Sequence, residues 1–146
     1  MGAGCPLCET PGGRVVVQAA AWRLVHAQEA GFPAFYRLVW QDHVGEFSQL
    51  APGQRAECVE VLAAVEERML RHLQPTKVNL ASLGNAVPHL HWHVVARFDW
   101  DSHFPGAVWA PALRAADDAR LREVAARLPA LEEALVAGLA GKWTGP

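Results

Sequence analysis

The sequence predicts an α+β domain: an antiparallel β-sheet with one central helix and a C-terminal helix. Three observations carry this. Short runs rich in branched and aromatic residues, broken by Gly and Pro, fill residues 15–40 and return at 76–98. Between them, from Pro52, apolar residues recur at steps of three and four. The same helical spacing reappears over residues 117–140.

"PGGR" is a turn signal, and the "VVVQAA" after it (15–20) reads as a strand with "WRLVHA" (22–27) as its hairpin partner. "EAGFP" breaks the pattern, and "AFYRLVW" (34–40) is a third strand. Cys58, Leu62, Val65, Met69 and Leu73 share one face of an amphipathic helix. Pro52 suits its first turn, where a missing N–H loses no bond. "TKVNLA" (76–81) is a short strand and "HLHWHVVARF" (89–98) a longer one, joined through "SLGN". "DSHFPGAVWAP" (101–111) reads as an ordered loop because it holds Phe and Trp. The tail is helical, with Leu121, Val124, Leu128, Leu131 and Leu135 on one side, and Pro129 is expected to split or kink it.

A chain of 146 residues is one domain long, and no linker or repeat divides it. A net charge of −2 gives no basic field to attract a nucleic acid backbone, although local donors can still hold a nucleotide. No window approaches the roughly 20 apolar residues of a membrane span. The opening "MGAGCPLCET" has neither a charged n-region nor an apolar h-region, and Pro6 stands where myristoylation needs Ser or Thr. The expected location is the cytoplasm. There, disulfides are disfavoured, and Cys58 reads as a small buried apolar residue.

The chemistry concentrates in "NAVPHLHWHVVARF" (85–98). On a strand, His89, His91 and His93 point one way while Leu90, Trp92 and Val94 point into the core. Neighbouring histidines then have Cα atoms about 7 Å apart and the outer two about 13 Å, so two can share a metal but three cannot easily. Imidazole is also a nucleophile, largely neutral near pH 7, and a flanking histidine can stay cationic beside a phosphate. The bland alternative, three polar residues on a wet sheet face, fits poorly with strict alternation opposite an apolar row.

His89-Leu90-His91-Trp92-His93-Val94-Val95 resembles the motif of the histidine triad (HIT) family, three histidines alternating with apolar residues. The resemblance extends from the C-x-x-C to "FPGAVW", and is nearest to bacterial members with "NLASLGN" before the triad. It implies a homodimer that binds a nucleotide, expected to be an adenine nucleotide, across the triad strand and cleaves at the α-phosphate. His91 would attack phosphorus to form a nucleotidyl-histidine, which water hydrolyses to a nucleoside monophosphate. His93 would hold the phosphate oxygens, and Asn79 and Asn85 would contact phosphate. Two departures stand out. Ala86 occupies a position where many members carry a hydroxyl that helps protonate the leaving group. In "VHAQEAGFP", Gln28 or Glu29 would have to replace the ribose-holding Asp of other members.

Cys5 and Cys8 form a C-x-x-C. A redox motif would want a thioredoxin-like strand before it and a helix starting at the first Cys, whereas this one lies at the N-terminus and is followed by "ETPGG", so a metal knuckle fits better; free thiols remain the alternative. The family resemblance implies the rest of a closed zinc site: Cys5, Cys8, His43 after the third strand, and His89. Residues 1–13 would then be a zinc-knuckle arm, 14–110 the HIT core and 111–146 a helical tail of a single domain spanning 1–146. His26, His72 and His103 read as surface or packing residues.

Three classes follow. The first is a hydrolase of dinucleoside polyphosphates or nucleoside phosphoramidates acting through His91. The second is a nucleotide-binding dimer with negligible turnover, suggested by Ala86. In the third, His91 and His93 ligate a catalytic metal, for which Asp99 and Asp101 are the nearest carboxylates in sequence.

Overall fold

The structure, a computed structural model, describes residues 2–141. A short helix α1 (Pro6–Glu9) precedes strands β1 (Arg14–Gln18), β2 (Trp22–His26) and β3 (Phe35–Trp40). Helix α2 (Pro52–Leu73) follows, then β4 (Lys77–Ala81), β5 (His91–Arg97) and α3 (Asp118–Leu139). The strands form one antiparallel sheet in the order β1-β2-β3-β5-β4, so α2 carries the chain across to the far edge before β5 returns to the centre. This is the α+β architecture the sequence predicts. No helix is long and apolar enough to cross a membrane among the described residues.

One face of the sheet is the core. Trp22, Leu24, Tyr36, Leu38, Trp40, Val94 and Ala96 pack there against Cys58, Leu62, Val65 and Met69 of α2 and against the leucines of α3. Leu90 and Val94 are buried as alternation requires, and Trp92 is half-buried against the same cluster. The opposite face carries His91, His93, Arg37 and Val39, and there the site is built.

The turn after the arm depends on glycine. Gly12 and Gly13 take φ of 85° and 155°, and a Cβ on Gly13 would stand 2.4 Å from the carbonyl oxygen of His26.

Two expectations need correction. The chain is not divided at Pro129; α3 runs through it in one piece. Proline removes the bond to the carbonyl one turn back, but this side of the helix is exposed and water can replace the partner. The buried row Val124, Leu128, Leu131, Leu135 and Leu139 keeps its register across the position, and packing outweighs the lost bond. Second, His89 and Leu90 lie outside β5. Their backbone bonds elsewhere: Leu90 N–H donates to Val44 and Leu90 C=O accepts from Trp40.

A buried ion pair organises the loop after β5. The Asp101 carboxylate accepts from Arg97 Nε at 2.9 Å and Nη2 at 3.1 Å, and from the backbone N–H groups of Phe98, His103 and Phe104. Burial alone would raise its pKa; Arg97 and the three amides outweigh that and hold it below the usual carboxylate range. Arg97 also donates to Gly106 C=O, and Arg114 to the carbonyls of Asp101 and Phe104. Asp101→Ala would leave Arg97 charged, buried and short of its partner, costing about 3–5 kcal/mol. The expected fall in melting temperature is roughly 10 °C, measured by thermal denaturation.

Candidate active site and metal centre

Cys5 caps α1 and Cys8 lies within it, so a single helical turn brings both thiols to one side. The arm is fastened by Arg23, buried on β2, whose guanidinium donates to the carbonyls of Leu7, Thr10 and Pro11 and to Gln41 Oε1. Leu7 packs on Val25 and Val39 of the sheet. These contacts carry the thiols to His43, three residues past β3, and to His89.

The four side chains converge. Their ligand atoms all lie within 4.8 Å of one another. Cys5 Sγ and Cys8 Sγ are each 3.5 Å from His89 Nδ1, Cys8 Sγ is 3.3 Å from His43 Nδ1, and the two Nδ1 atoms are 3.2 Å apart. Sulfur at about 2.3 Å and nitrogen at about 2.0–2.1 Å in a tetrahedron around zinc stand about 3.5 Å (S···N) and about 3.3 Å (N···N) apart. The set therefore fits zinc with little rearrangement. His89 Nε2–H donates to Trp40 C=O at 2.7 Å, which leaves Nδ1 as the metal-facing nitrogen. Burial lowers the His89 pKa and so favours the neutral, ligating form.

The same residue reaches the triad through its backbone. His89 C=O accepts from His91 Nδ1–H at 2.6 Å, so the lone pair of His91 is on Nε2. The rings of His91 and His93 meet edge-on, with centroids 5.0 Å apart. His93 is boxed by the rings of Phe35 and Trp109, and its Nδ1 is buried with no hydrogen-bond partner among the described residues.

His93 is not the cation that alternation on an exposed strand suggests. Burial, then the neighbouring His91 and Arg37, push its pKa down to about 4, leaving it neutral near pH 7 in the free site. The positive charge beside it belongs to Arg37, directly opposite on β3. Arg37 donates to Gly12 C=O at 3.1 Å and to Glu29 at 3.3 Å. Sequence reading missed Arg37, although a lone charge within "AFYRLVW" was the available signal.

Asn79 shares the triad's face, on β4 two residues from the partner of His93. Its Oδ1 accepts from Arg97 at 2.9 Å, which leaves the amide N–H groups as donors. Asn85 is exposed on the loop before His89, and Ala86 is exposed beside it. Of the two candidates for the ribose, Glu29 pairs with Arg37, the residue opposite His93, whereas Gln28 has a left-handed backbone with φ 59°. Asp101 is fully engaged with Arg97 and the backbone, so it is no free ligand for a metal on His91 and His93. A cleft of about 320 Å³ opens beside His93, lined by Asn79, Ala81, Val95, Val108 and Trp109. A roomier hollow of about 600 Å³ lies beside the arm and touches neither His91 nor His93.

Cys8→Ser should lower zinc content and melting temperature while reducing the rate per folded molecule far less; equal melting temperatures for variant and parent would refute the zinc assignment. A second outcome follows from His93. With a folded pKa near 4 against about 6.5 unfolded, the folded chain binds fewer protons between those values, so stability declines as pH falls through that window. Thermal melts from pH 6.5 to 4.5 should therefore drop more steeply for the parent than for His93→Gln.

Solved structures share this fold. A histidine triad protein of Bradyrhizobium japonicum superposes with a TM-score of 0.69 at 24% identity, over 87% of this chain and 90% of that one. One from Marinobacter aquaeolei VT8 gives 0.67 at 26%, over 86% and 92%. A Zn-bound histidine triad family protein of Mycobacterium smegmatis gives 0.59 at 17%, over 90% and 98%. No curated protein matches the chain. Residues 12–100, more than half of the sequence and the stretch that supplies both His91 and His93, match the HIT domain, and the chain belongs to the HIT domain family.

Proposed function

We propose that this chain is a nucleotide hydrolase cleaving at the α-phosphate of a dinucleoside polyphosphate or nucleoside phosphoramidate. The observation that carries this is the 2.6 Å bond from His91 Nδ1–H to His89 C=O, which orients an unprotonated Nε2 for attack. The N–P bond to His91 forms as the bond to the leaving group breaks, and the leaving group takes the electron pair. Water then attacks phosphorus, the N–P bond breaks, and a nucleoside monophosphate departs. His93 and the Asn79 amide would hold the phosphate oxygens, with Asn85 joining them from its loop. Arg37 supplies nearby positive charge.

Zinc on Cys5, Cys8, His43 and His89 would act structurally, fastening the arm and holding the segment that carries the His89 carbonyl. The Zn-bound relative supports this reading. A cytoplasmic homodimer is the expected assembly. β4 is an edge of the sheet, with Leu80 and Leu83 exposed at and beyond its end.

A second reading, a nucleotide-binding dimer without useful turnover, is favoured by Ala86, which brings no hydroxyl to the leaving group. Release of AMP from diadenosine tetraphosphate and from adenosine 5′-phosphoramidate separates the two. The parent should turn over at least one, and His91→Asn should lose about a thousandfold or more while still binding AMP. Binding without cleavage by the parent would favour the second reading.

A further inference from the structure

The four metal-ligating side chains are not sealed from water. Cys5 and Cys8 are both partly exposed. A hollow of about 290 Å³ opens on Cys5 and is lined by Gly2, Ala86, Val87 and Pro88, while the roomier hollow beside the arm opens on Cys8. His43 lines both, so the centre is reached from two sides. Four protein ligands close a metal's coordination, but they do not shield thiolates that solvent can reach.

The two thiols can also reach each other. Their sulfurs lie within the 4.8 Å that spans the whole set, and Cys8 N–H donates to Cys5 C=O at 3.1 Å, so one tight turn carries both. A disulfide needs the sulfurs about 2.05 Å apart. The backbone before Cys5 leaves room for that movement: Ala3 and Gly4 are exposed, and nothing stands within 4 Å of a Cβ placed on Gly4. The third thiol is out of reach. Cys58 lies in the core on the other face of the sheet, and burial pushes its pKa up to about 11, so it is neither accessible nor a thiolate near pH 7.

The other fastenings of the arm do not depend on the metal. Arg23 gathers the Leu7, Thr10 and Pro11 carbonyls, and Leu7 packs on Val25 and Val39. His89 is held by Trp40 C=O, and its carbonyl holds His91 Nδ1–H. Pairing of the thiols would therefore remove one cross-link, between the arm and the segments that carry His43 and His89, and leave the fold and the orientation of His91 in place.

We propose that Cys5 and Cys8 form a redox switch: a peroxide joins them as a disulfide, the metal is lost, and the chain passes to a less stable form that keeps its fold. With hydrogen peroxide, one thiolate attacks an oxygen, the O–O bond breaks and hydroxide leaves, giving a sulfenic acid. The second thiolate attacks that sulfur, the S–S bond forms, and the S–O bond breaks with release of a second hydroxide. Each sulfur gives up one electron and the peroxide takes both. His43 and His89 are then too few to retain zinc. The switch rests on the zinc reading above, and it alters the stability of the chain rather than its rate.

The test uses the zinc-loaded full chain, with metal content measured before hydrogen peroxide is added. Zinc release to a chromophoric chelator, free thiols and thermal melts are then compared with an untreated sample. One zinc should leave per chain as two thiols disappear, and the tryptic peptide ending at Arg14, which holds both cysteines, should be lighter by two hydrogens. The melting temperature should fall to that of Cys8→Ser while the circular dichroism of the folded chain persists. Dithiothreitol followed by zinc should restore the parent value. Cys58→Ala should respond to peroxide as the parent does. Zinc retained through the treatment, zinc lost with no bond between Cys5 and Cys8, or a response abolished in Cys58→Ala overturns the switch and leaves the zinc assignment standing. A chain that takes up no zinc before peroxide is added refutes the metal assignment, and the switch with it.

Discussion

Much of this site hangs on His89, which faces two ways. Its imidazole converges with Cys5, Cys8 and His43, while its carbonyl accepts the Nδ1–H of His91. Only Leu90 separates the metal-ligand position from the candidate nucleophile along the chain, so the position of one constrains the other. The bond from His89 Nε2–H to Trp40 C=O ties this segment to the end of β3. The N-terminal arm is thereby part of the framework of the strand that carries His91 and His93. Arg23 reinforces it by gathering three arm carbonyls around a buried guanidinium.

Electrostatics on the triad face are set by burial as much as by residue type. His93 is kept neutral by desolvation with help from the charges of His91 and Arg37. Positive charge on this face comes from Arg37 of the neighbouring strand instead, and its fork is steadied by Gly12 and Glu29. A neutral His93 with the Arg37 cation on the adjacent strand keeps positive charge on this face without placing it on His93. On the other flank, Arg97 and Asp101 form the kind of buried pair that adds little net stability but is costly to break. Its value here is positional: it fixes the Asn79 amide and the loop that ends in Trp109.

The sequence by itself determined the strand and helix order, the amphipathic faces, the triad and, through family resemblance, all four metal-site residues. These are local patterns. Alternation of two on a strand and steps of three and four on a helix are dictated by backbone geometry and survive in a bare string of letters. What tertiary structure decided is of another kind. That Arg37 stands opposite His93 follows from the register of β3 against β5, and that Asn79 gives its oxygen to Arg97 follows from the register of β4. The low pKa of His93 needs the rings and side chains that exclude water from it. Pro129 is tolerated because distant packing holds α3 together on the side proline does not disturb. Each of these depends on residues far apart in the chain meeting across the sheet, and such meetings have no period for a sequence to display.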